Sequence, residues 1–323
     1  MKGIVDRFFD NQPDLQGLRR FWPWWSGGIA LCLVVLLFLS WYEGSEPDPF
    51  PVASVADKNP GVILTETMAR VAETLYQKPG GYLANDRLPP GVFMDDIPNW
   101  ELGVLQEVRR TTHALGHQFA MSHAALQEDA DLADAEIAFG VDPHSWIFPR
   151  AEKSFREGTH DLQQFSQRLK RTDSGAVFLP TNTALLLYLQ DTAQELIQMS
   201  ALLNSALPQP ELEGDRNLPA AARTSWWNVD DHFYYVRGQC WALAAILQAI
   251  RTEYSGFLLA HHADLSLLAM IRELQAAGQP VYSPVILNGS GFGLFANHSL
   301  TLANYVDRAQ LDDQDVLALI RTN

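Results

Sequence analysis

The longest uninterrupted apolar run in the chain extends from Trp22 to Tyr42 and contains no charged residue. A bilayer core about 30 Å thick is crossed by about 20 helical residues, so this run is long enough to span it. Aromatic residues that favour the membrane–water interface stand at its two ends: Trp22, Trp24, Trp25, Trp41 and Tyr42. The pattern predicts a transmembrane helix over 22–42.

The alternative interpretation of this run is a secretory signal peptide that is cleaved after export. A cleavage site with small residues would then follow the apolar core, but the bulky stretch SWYEG follows Leu39 instead. The segment before the run is also long for the charged leader of a signal peptide. These features favour an uncleaved anchor.

Basic residues near the ends of the apolar run predict its orientation. Arg19 and Arg20 abut the N-terminal end, whereas Glu43 and Glu46 follow the other end. Because positively charged flanks remain in the cytoplasm, residues 1–21 are predicted to be a cytoplasmic N-terminal segment. The rest of the chain is then extracytoplasmic.

Beyond the anchor, prolines predict a linker over 43–60, and residues 61–323 form a separate domain. Within it, apolar residues such as Met68, Val71 and Leu75 recur at helical spacing. The same periodicity predicts helices over 62–78, 100–126, 150–171, 181–207, 230–254, 264–278 and 311–322. Only 281–287 resembles a strand. The predicted fold is mainly α: one transmembrane helix followed by a helical extracytoplasmic domain with long ordered loops.

Charge narrows the possible partners. The formal net charge is −15, and residues 1–21 contribute +1, so the remainder carries −16. An acidic surface repels nucleic acid, and no nucleic-acid partner is expected.

The stretch NGSGFGLFANHS, residues 288–299, resembles a nucleotide-binding loop because Gly291, Gly293 and Ala296 match G-x-G-x-x-A. A dinucleotide site also needs a second strand that carries an acid about 20 residues on, and a helix is predicted there instead. No nucleotide and no cofactor are therefore expected. The glycines favour close backbone packing where the chain enters a helix over 300–306, capped by Asn297 or Ser299, with a ligand-lining loop as the alternative.

Two groups of residues could carry chemistry. His113 and His117 share a helix face and could bind a metal, although Ala114 stands where the HExxH motif requires glutamate. Solvated or hydrogen-bonded histidines are the simpler interpretation. Glu101 with Asp230 or Asp231 could form the carboxyl pair that cleaves a glycosidic bond. The simpler interpretation makes Glu101 a first-turn acid, Asp230 or Asp231 the cap of its helix, and Asp231 alternatively a partner for Arg237.

Candidate binding residues come from an aromatic cluster and from the glycine-rich loop. Aromatic residues either form a core or provide a platform for carbohydrate or protein. The candidates are Trp226, Trp227, Tyr234, Arg237, Asn288, Ser290, Asn297 and His298.

Three blocks carry a resemblance to a known family: GGYLANDRLPPGVFMDDIPNWELGVLQEVR, DDHFYYVRGQCWAL and SPVILNGSGFGLFANHSL. The chain resembles the uncharacterised bacterial family catalogued as domain of unknown function 2333. The resemblance implies an inner-membrane protein of Gram-negative bacteria with a periplasmic domain, and it implies no activity, cofactor or catalytic residue.

These observations lead to two functional hypotheses. The first is a non-enzymatic envelope scaffold or binding protein, anchored in the bilayer, whose partner is an envelope protein or a cell-wall component. The alternative is a periplasmic hydrolase that acts on peptidoglycan or a related glycan. Two carboxyls converging in a cleft, one with a raised pKa, would favour the hydrolase.

Overall fold

The computed structural model describes residues 15–54, 58–87, 91, 94, 96–120, 128–147, 150–171, 173–205, 229–281 and 298–322, with the side chains of the first helix described from Ser26. No strand occurs in these residues, which confirms the mainly α fold. The helices are α1 Leu15–Glu43, α2 Val62–Gln77, α3 Asp96–Ala114, α4 Ala130–Phe139, α5 Ala151–Leu169, α6 Asn182–Ser205, α7 Val229–Glu253, α8 Ser255–Ala260, α9 Asp264–Ala277 and α10 His298–Thr322.

Helix α1 stands apart from the rest of the fold. Its segment Ser26–Glu43 is long and apolar enough to cross a membrane, and none of that segment is buried in the protein. The side chains of Trp41 and Tyr42 are exposed at its C-terminal end, whereas those of Trp22, Trp24 and Trp25 lie outside the described residues. The helix therefore has the length and surface of a membrane anchor or a signal sequence.

The domain is built around the pair α3 and α7, which make the most extensive contact among the described helices. Glycines permit this approach, because a Cβ atom added to Gly103 would lie 2.0 Å from the carbonyl oxygen of Tyr235, and one added to Gly238 would lie 2.1 Å from that of Trp100. Helices α2 and α4 contact α3, and α5 packs on both of them. Helices α6 and α9 contact α7, and α10 packs between them.

The amphipathic helices bury the faces that their sequences predict. In α5, Phe155, Leu162 and Phe165 recur at helical spacing and are fully buried. Three elements differ from the prediction. Helices α4 and α8 were not predicted, and α10 is one helix from His298 rather than two, over 300–306 and 311–322.

The difference in α10 has a physical reason. Asp312 and Asp313 look like the capping acids of a helix start, but in the structure Asp313 is a fully buried residue in the middle of α10. Helix α3 also differs from the prediction at its C-terminal end. A π-helical turn, Leu115–Phe119, continues the helix, and the Ala120 amide closes this turn by donating to Leu115 O at 2.8 Å. The strand-like residues 282–287 lie outside the described residues.

Candidate functional site

The chain that follows α1 lies on the surface of the domain. The Phe50 ring packs edge-on against Trp241 with centroids 5.8 Å apart, and the Arg70 guanidinium lies 4.2 Å above the same Phe50 ring. The Thr252 hydroxyl donates a hydrogen bond to Ala53 O at 2.9 Å. Residues 45–54, which we call the strap, are therefore held by aromatic packing and hydrogen bonding.

Arg237 joins the strap to the domain interior. Its side chain is fully buried, and its two terminal nitrogens donate to the Glu46 carboxylate at 2.8 and 2.7 Å. One of them also donates to Gln279 O at 2.6 Å. The guanidinium stacks on the rings of Phe233 and Tyr234. A bidentate arginine–carboxylate pair is both strong and directional, so it fixes where α1 leaves the domain.

Several helix ends meet at this point. Asn99 in the first turn of α3 donates to the Asp231 carboxylate in the first turn of α7 at 2.7 Å. The Phe233 ring lies 6.3 Å from that of His298, the first residue of α10. We call this region, comprising Glu46, Asn99, Asp231, Arg237 and His298, the anchor-proximal end.

The anchor-proximal end contains some of the binding candidates from the sequence. Tyr234, Arg237 and His298 come together there, and burial raises the pKa of the Tyr234 hydroxyl. The remaining candidates, Trp226, Trp227, Asn288, Ser290 and Asn297, lie outside the described residues.

The candidate acid Glu101 holds a loop in place. Its fully buried carboxylate accepts hydrogen bonds from the Leu83 amide at 2.9 Å and the Ala84 amide at 2.8 Å, and it pairs with the buried Lys78 ammonium at 2.7 Å. Burial raises the pKa of Glu101 to about 7, although Lys78 and the amides act in the opposite direction. A carboxylate with these partners and no exposed surface stabilises the segment 78–84 and cannot reach a substrate.

The other two candidate acids lie at the start of α7. Asp230 and Asp231 are in its first turn, where carboxylates interact favourably with the helix dipole. Asp231 accepts from Asn99, and Asp230 accepts from the Asp231 amide at 3.2 Å. Both acids therefore lie inside the first turn of α7, because the helix begins at Val229, whereas the sequence interpretation made one of them its cap.

A carboxyl pair in which one member, Glu195, has a raised pKa does occur, but inside the core. Arg110 donates to Glu107 at 2.8 Å and to the Tyr188 hydroxyl at 3.2 Å, and its Nε contacts the Glu195 carboxylate. Glu195 also accepts from the Gln239 amide at 2.8 Å. Burial, and then the charge of Glu107, holds the pKa of Glu195 well above its ordinary value. This network joins α3, α6 and α7 in the interior and does not line a cleft.

Asp313 is the least satisfied acid near this network. Its carboxylate is fully buried and has no hydrogen-bond partner among the described residues. Burial raises its pKa from the ordinary value of 3.8 to about 7, against the opposing charges of Arg110 and Arg321. Sequence reasoning missed it, but one signal existed: Asp313 stands four residues after Ala309 and four before Leu317, on the face that α10 buries.

We expect Asp313→Asn to stabilise the domain at pH 8 by on the order of 2 kcal/mol and to have little effect near pH 4. Because its pKa is higher in the folded protein, wild-type Asp313 binds more protons folded than unfolded. The unfolding free energy therefore falls as pH rises from about 4 to about 7. Urea unfolding of both proteins across this range measures the difference.

Asp315→Asn is the matched control, because Asp315 is exposed on the same helix and its replacement should leave the pH dependence unchanged. Equal pH dependence in Asp313→Asn and the wild type would show that Asp313 does not carry this proton.

His113 and His117 lie far from the anchor-proximal end. They follow Asn99 along the α3 axis by roughly 20–25 Å. His113 Nδ1 lies 3.0 Å from one Glu136 oxygen, and His117 Nε2 lies 3.4 Å from the other. Glu136 is on α4, so its contribution could not be read from the spacing of the histidines.

A bacterial family model matches nearly the entire chain. The model is described as "Uncharacterized protein conserved in bacteria (DUF2333)", and it matches residues 19–322. Neither the search of curated proteins nor that of solved structures found a match. The matched residues include both the apolar helix and the helical domain.

Proposed function

We propose that this chain, which belongs to the uncharacterised bacterial family DUF2333, is a single-pass inner-membrane protein that binds an envelope partner without catalysis. Its N-terminus is cytoplasmic and its helical domain is periplasmic. The partner is another envelope protein or a cell-wall component.

The charge asymmetry around α1 supports the orientation. Arg19 and Arg20 precede the apolar segment, and Glu43 and Glu46 follow it. Because basic flanks remain on the cytoplasmic side of the bacterial inner membrane, this asymmetry supports a periplasmic domain.

The observation that carries the proposal is the Glu46–Arg237 pair. Glu46 lies three residues beyond Glu43, the last residue of α1. Three extended residues span at most about 10 Å, so the Glu46–Arg237 pair lies within that distance along the chain from the end of the anchor. Arg237 therefore holds the domain against the membrane surface in one orientation, which a flexible tether would not do. A protein that presents a fixed face close to the bilayer is suited to docking a partner there.

The roles of the acids support binding rather than hydrolysis. The Glu101 carboxylate is paired with Lys78 and hydrogen-bonded by two backbone amides, and the Asp231 carboxylate accepts a hydrogen bond from Asn99. Glycoside cleavage needs two accessible acids across a cleft, and these carboxylates instead stabilise the fold.

We expect alkaline phosphatase fused after Asn323 to be active and green fluorescent protein at the same position to be dark, because only the former functions in the periplasm. An N-terminal epitope should remain on the same polypeptide, since the anchor is not cleaved. The double change Arg19→Glu and Arg20→Glu should lower phosphatase activity, whereas Arg308→Glu in the domain should not. Active phosphatase on a chain that has lost its N-terminal epitope would indicate a cleaved signal sequence.

Photo-crosslinking in the same membranes tests the binding. A photoreactive residue at position 298 lies at the anchor-proximal end, and one at Leu265 serves as the control. Leu265 is 75 % exposed and lies near the start of α9. The other end of α9 leads to Gln279, which contacts Arg237, so Leu265 is at the end of this helix away from the anchor-proximal end. We expect a discrete adduct from position 298 and none from position 265. Absence of that adduct together with release of glycan fragments by the purified chain would favour the hydrolase.

A further inference from the structure

We infer that His113, His117 and Glu136 form a binding site for a divalent transition metal, with zinc as the best match. Each residue offers one ligand atom, and the three atoms lie within 4.8 Å of one another. The centroids of the two imidazole rings are 4.1 Å apart. Within the described residues, this is the group whose ligand atoms converge in this way.

The distances suit a tetrahedral ion. Zinc bonds to histidine nitrogen and carboxylate oxygen are about 2.0–2.2 Å long, which places neighbouring ligand atoms roughly 3.3–3.5 Å apart at tetrahedral angles. His113 Nδ1 lies 3.0 Å from one Glu136 oxygen and His117 Nε2 lies 3.4 Å from the other, so both contacts are near that spacing. Rotation of the Glu136 carboxylate would present a single oxygen to both histidines.

The fold positions the ligands from two helices. The π-helical turn Leu115–Phe119 contains His117, and π turns within α-helices are frequent at functional sites. Arg109, one turn before His113, donates to Phe139 O at 2.7 Å and Val141 O at 2.6 Å. These bonds fix the end of α4, and hence Glu136, relative to α3. Ligands held on packed helices are preorganised.

The ligand types select the metal. Two imidazoles with one carboxylate favour zinc and its transition-metal neighbours over calcium and magnesium, which prefer oxygen ligands alone. Three protein ligands leave a fourth position for water or for a group from a partner. The His113 side chain is 56 % exposed and that of His117 34 % exposed, so an ion from the solvent can enter.

A further carboxylate lies close to this turn. Glu128 packs against Gly116, the residue before His117, and its buried Oε1 has no hydrogen-bond partner among the described residues. The turn that carries His117 is therefore flanked by a carboxylate oxygen that has no donor among the described residues.

Metal binding is tested on the full chain, purified in detergent with an affinity tag that lacks histidine. Cobalt(II) serves as a spectroscopic probe, and zinc affinity is measured by competition with a chromophoric chelator. We expect one equivalent of cobalt to give the intense visible absorption of a tetrahedral site, and zinc to displace it. His113→Gln, His117→Gln and Glu136→Gln should each weaken zinc binding by about 100-fold or more, because loss of even an outer-shell partner weakens binding by about 10–100-fold.

His160→Gln is the matched control, because His160 is exposed on α5 outside the proposed site. The zinc affinity of this variant should equal that of the wild type. Metal-free thermal unfolding should match in all variants, which confirms that they fold. A histidine–glutamate ion pair without metal function would give no saturable absorption, and that result overturns the inference. Binding that all three substitutions leave unchanged would overturn it as well.

Discussion

Gly103→Ala is expected to destabilise the domain by about 3–5 kcal/mol, a large share of the roughly 5–15 kcal/mol that holds a folded domain together. The added methyl would lie 2.0 Å from the carbonyl oxygen of Tyr235 on α7. The obstructing atom belongs to the backbone, so relief requires α3 and α7 to separate. Because these two helices organise the fold, their separation disturbs the packing of every helix around them.

The direction of the change in unfolding free energy distinguishes a tertiary clash from the intrinsic helix propensity of alanine. In a helix interior without tertiary contacts, glycine to alanine stabilises by roughly 0.5–1 kcal/mol. Gly256→Ala is therefore the matched control, because Gly256 is exposed in α8 and has no atom within 4 Å of an added Cβ. Urea unfolding should show a large loss for Gly103→Ala and a small gain or no change for Gly256→Ala. A small gain in both would mean that the two backbones do not approach as closely as in the structure.

The fold was predictable where the information is local. Apolar periodicity predicted α5 over 150–171, and the structure has it at Ala151–Leu169. The signal fails where a helix depends on its neighbours. Helix α4 mixes acids and alanines without a strong stripe, and its stability comes from Leu132 and Phe139 in the core and from the Asp129 cap.

The candidate sites depend on contacts that no local pattern contains. Glu46 and Arg237 are 191 residues apart in sequence, and His113 and Glu136 are on different helices. The prolines after the anchor predicted a linker of extended backbone over 43–60 and not the packing of Phe50 on Trp241. Sequence reasoning could therefore select Arg237 and His113 as candidates, but it offered Asp231 rather than Glu46 as the partner of Arg237 and gave His113 no partner on α4.

Arg237→Met is expected to destabilise the protein by about 3–5 kcal/mol and to release the strap from the domain. The substitution leaves the largely buried Glu46 carboxylate without its partner and deprives Gln279 O of a donor. Breaking one side of a buried ion pair has this magnitude because the remaining charge stays desolvated. Unfolding of the full chain in detergent measures the loss, and a nonspecific protease should cleave the strap in this variant while it remains protected in the wild type.

The double variant Arg237→Met with Glu46→Met separates the charge effect from loss of packing. Replacing both members of a buried pair with apolar groups is often nearly neutral, so we expect the double variant to regain much of the lost stability. The double-mutant cycle should give an interaction energy of about 2 kcal/mol between the two residues. Arg308→Met is the matched control, because the Arg308 side chain in the pair with Glu273 on α9 is over half exposed and the pair should contribute about 1 kcal/mol or less.

If Arg237→Met loses stability while the strap remains protected, Arg237 stabilises the core but does not fix the anchor, and the fixed docking face at the membrane loses its support. If the strap is released and the position 298 adduct disappears with it while the domain stays folded, the clamp is what presents that face to the partner.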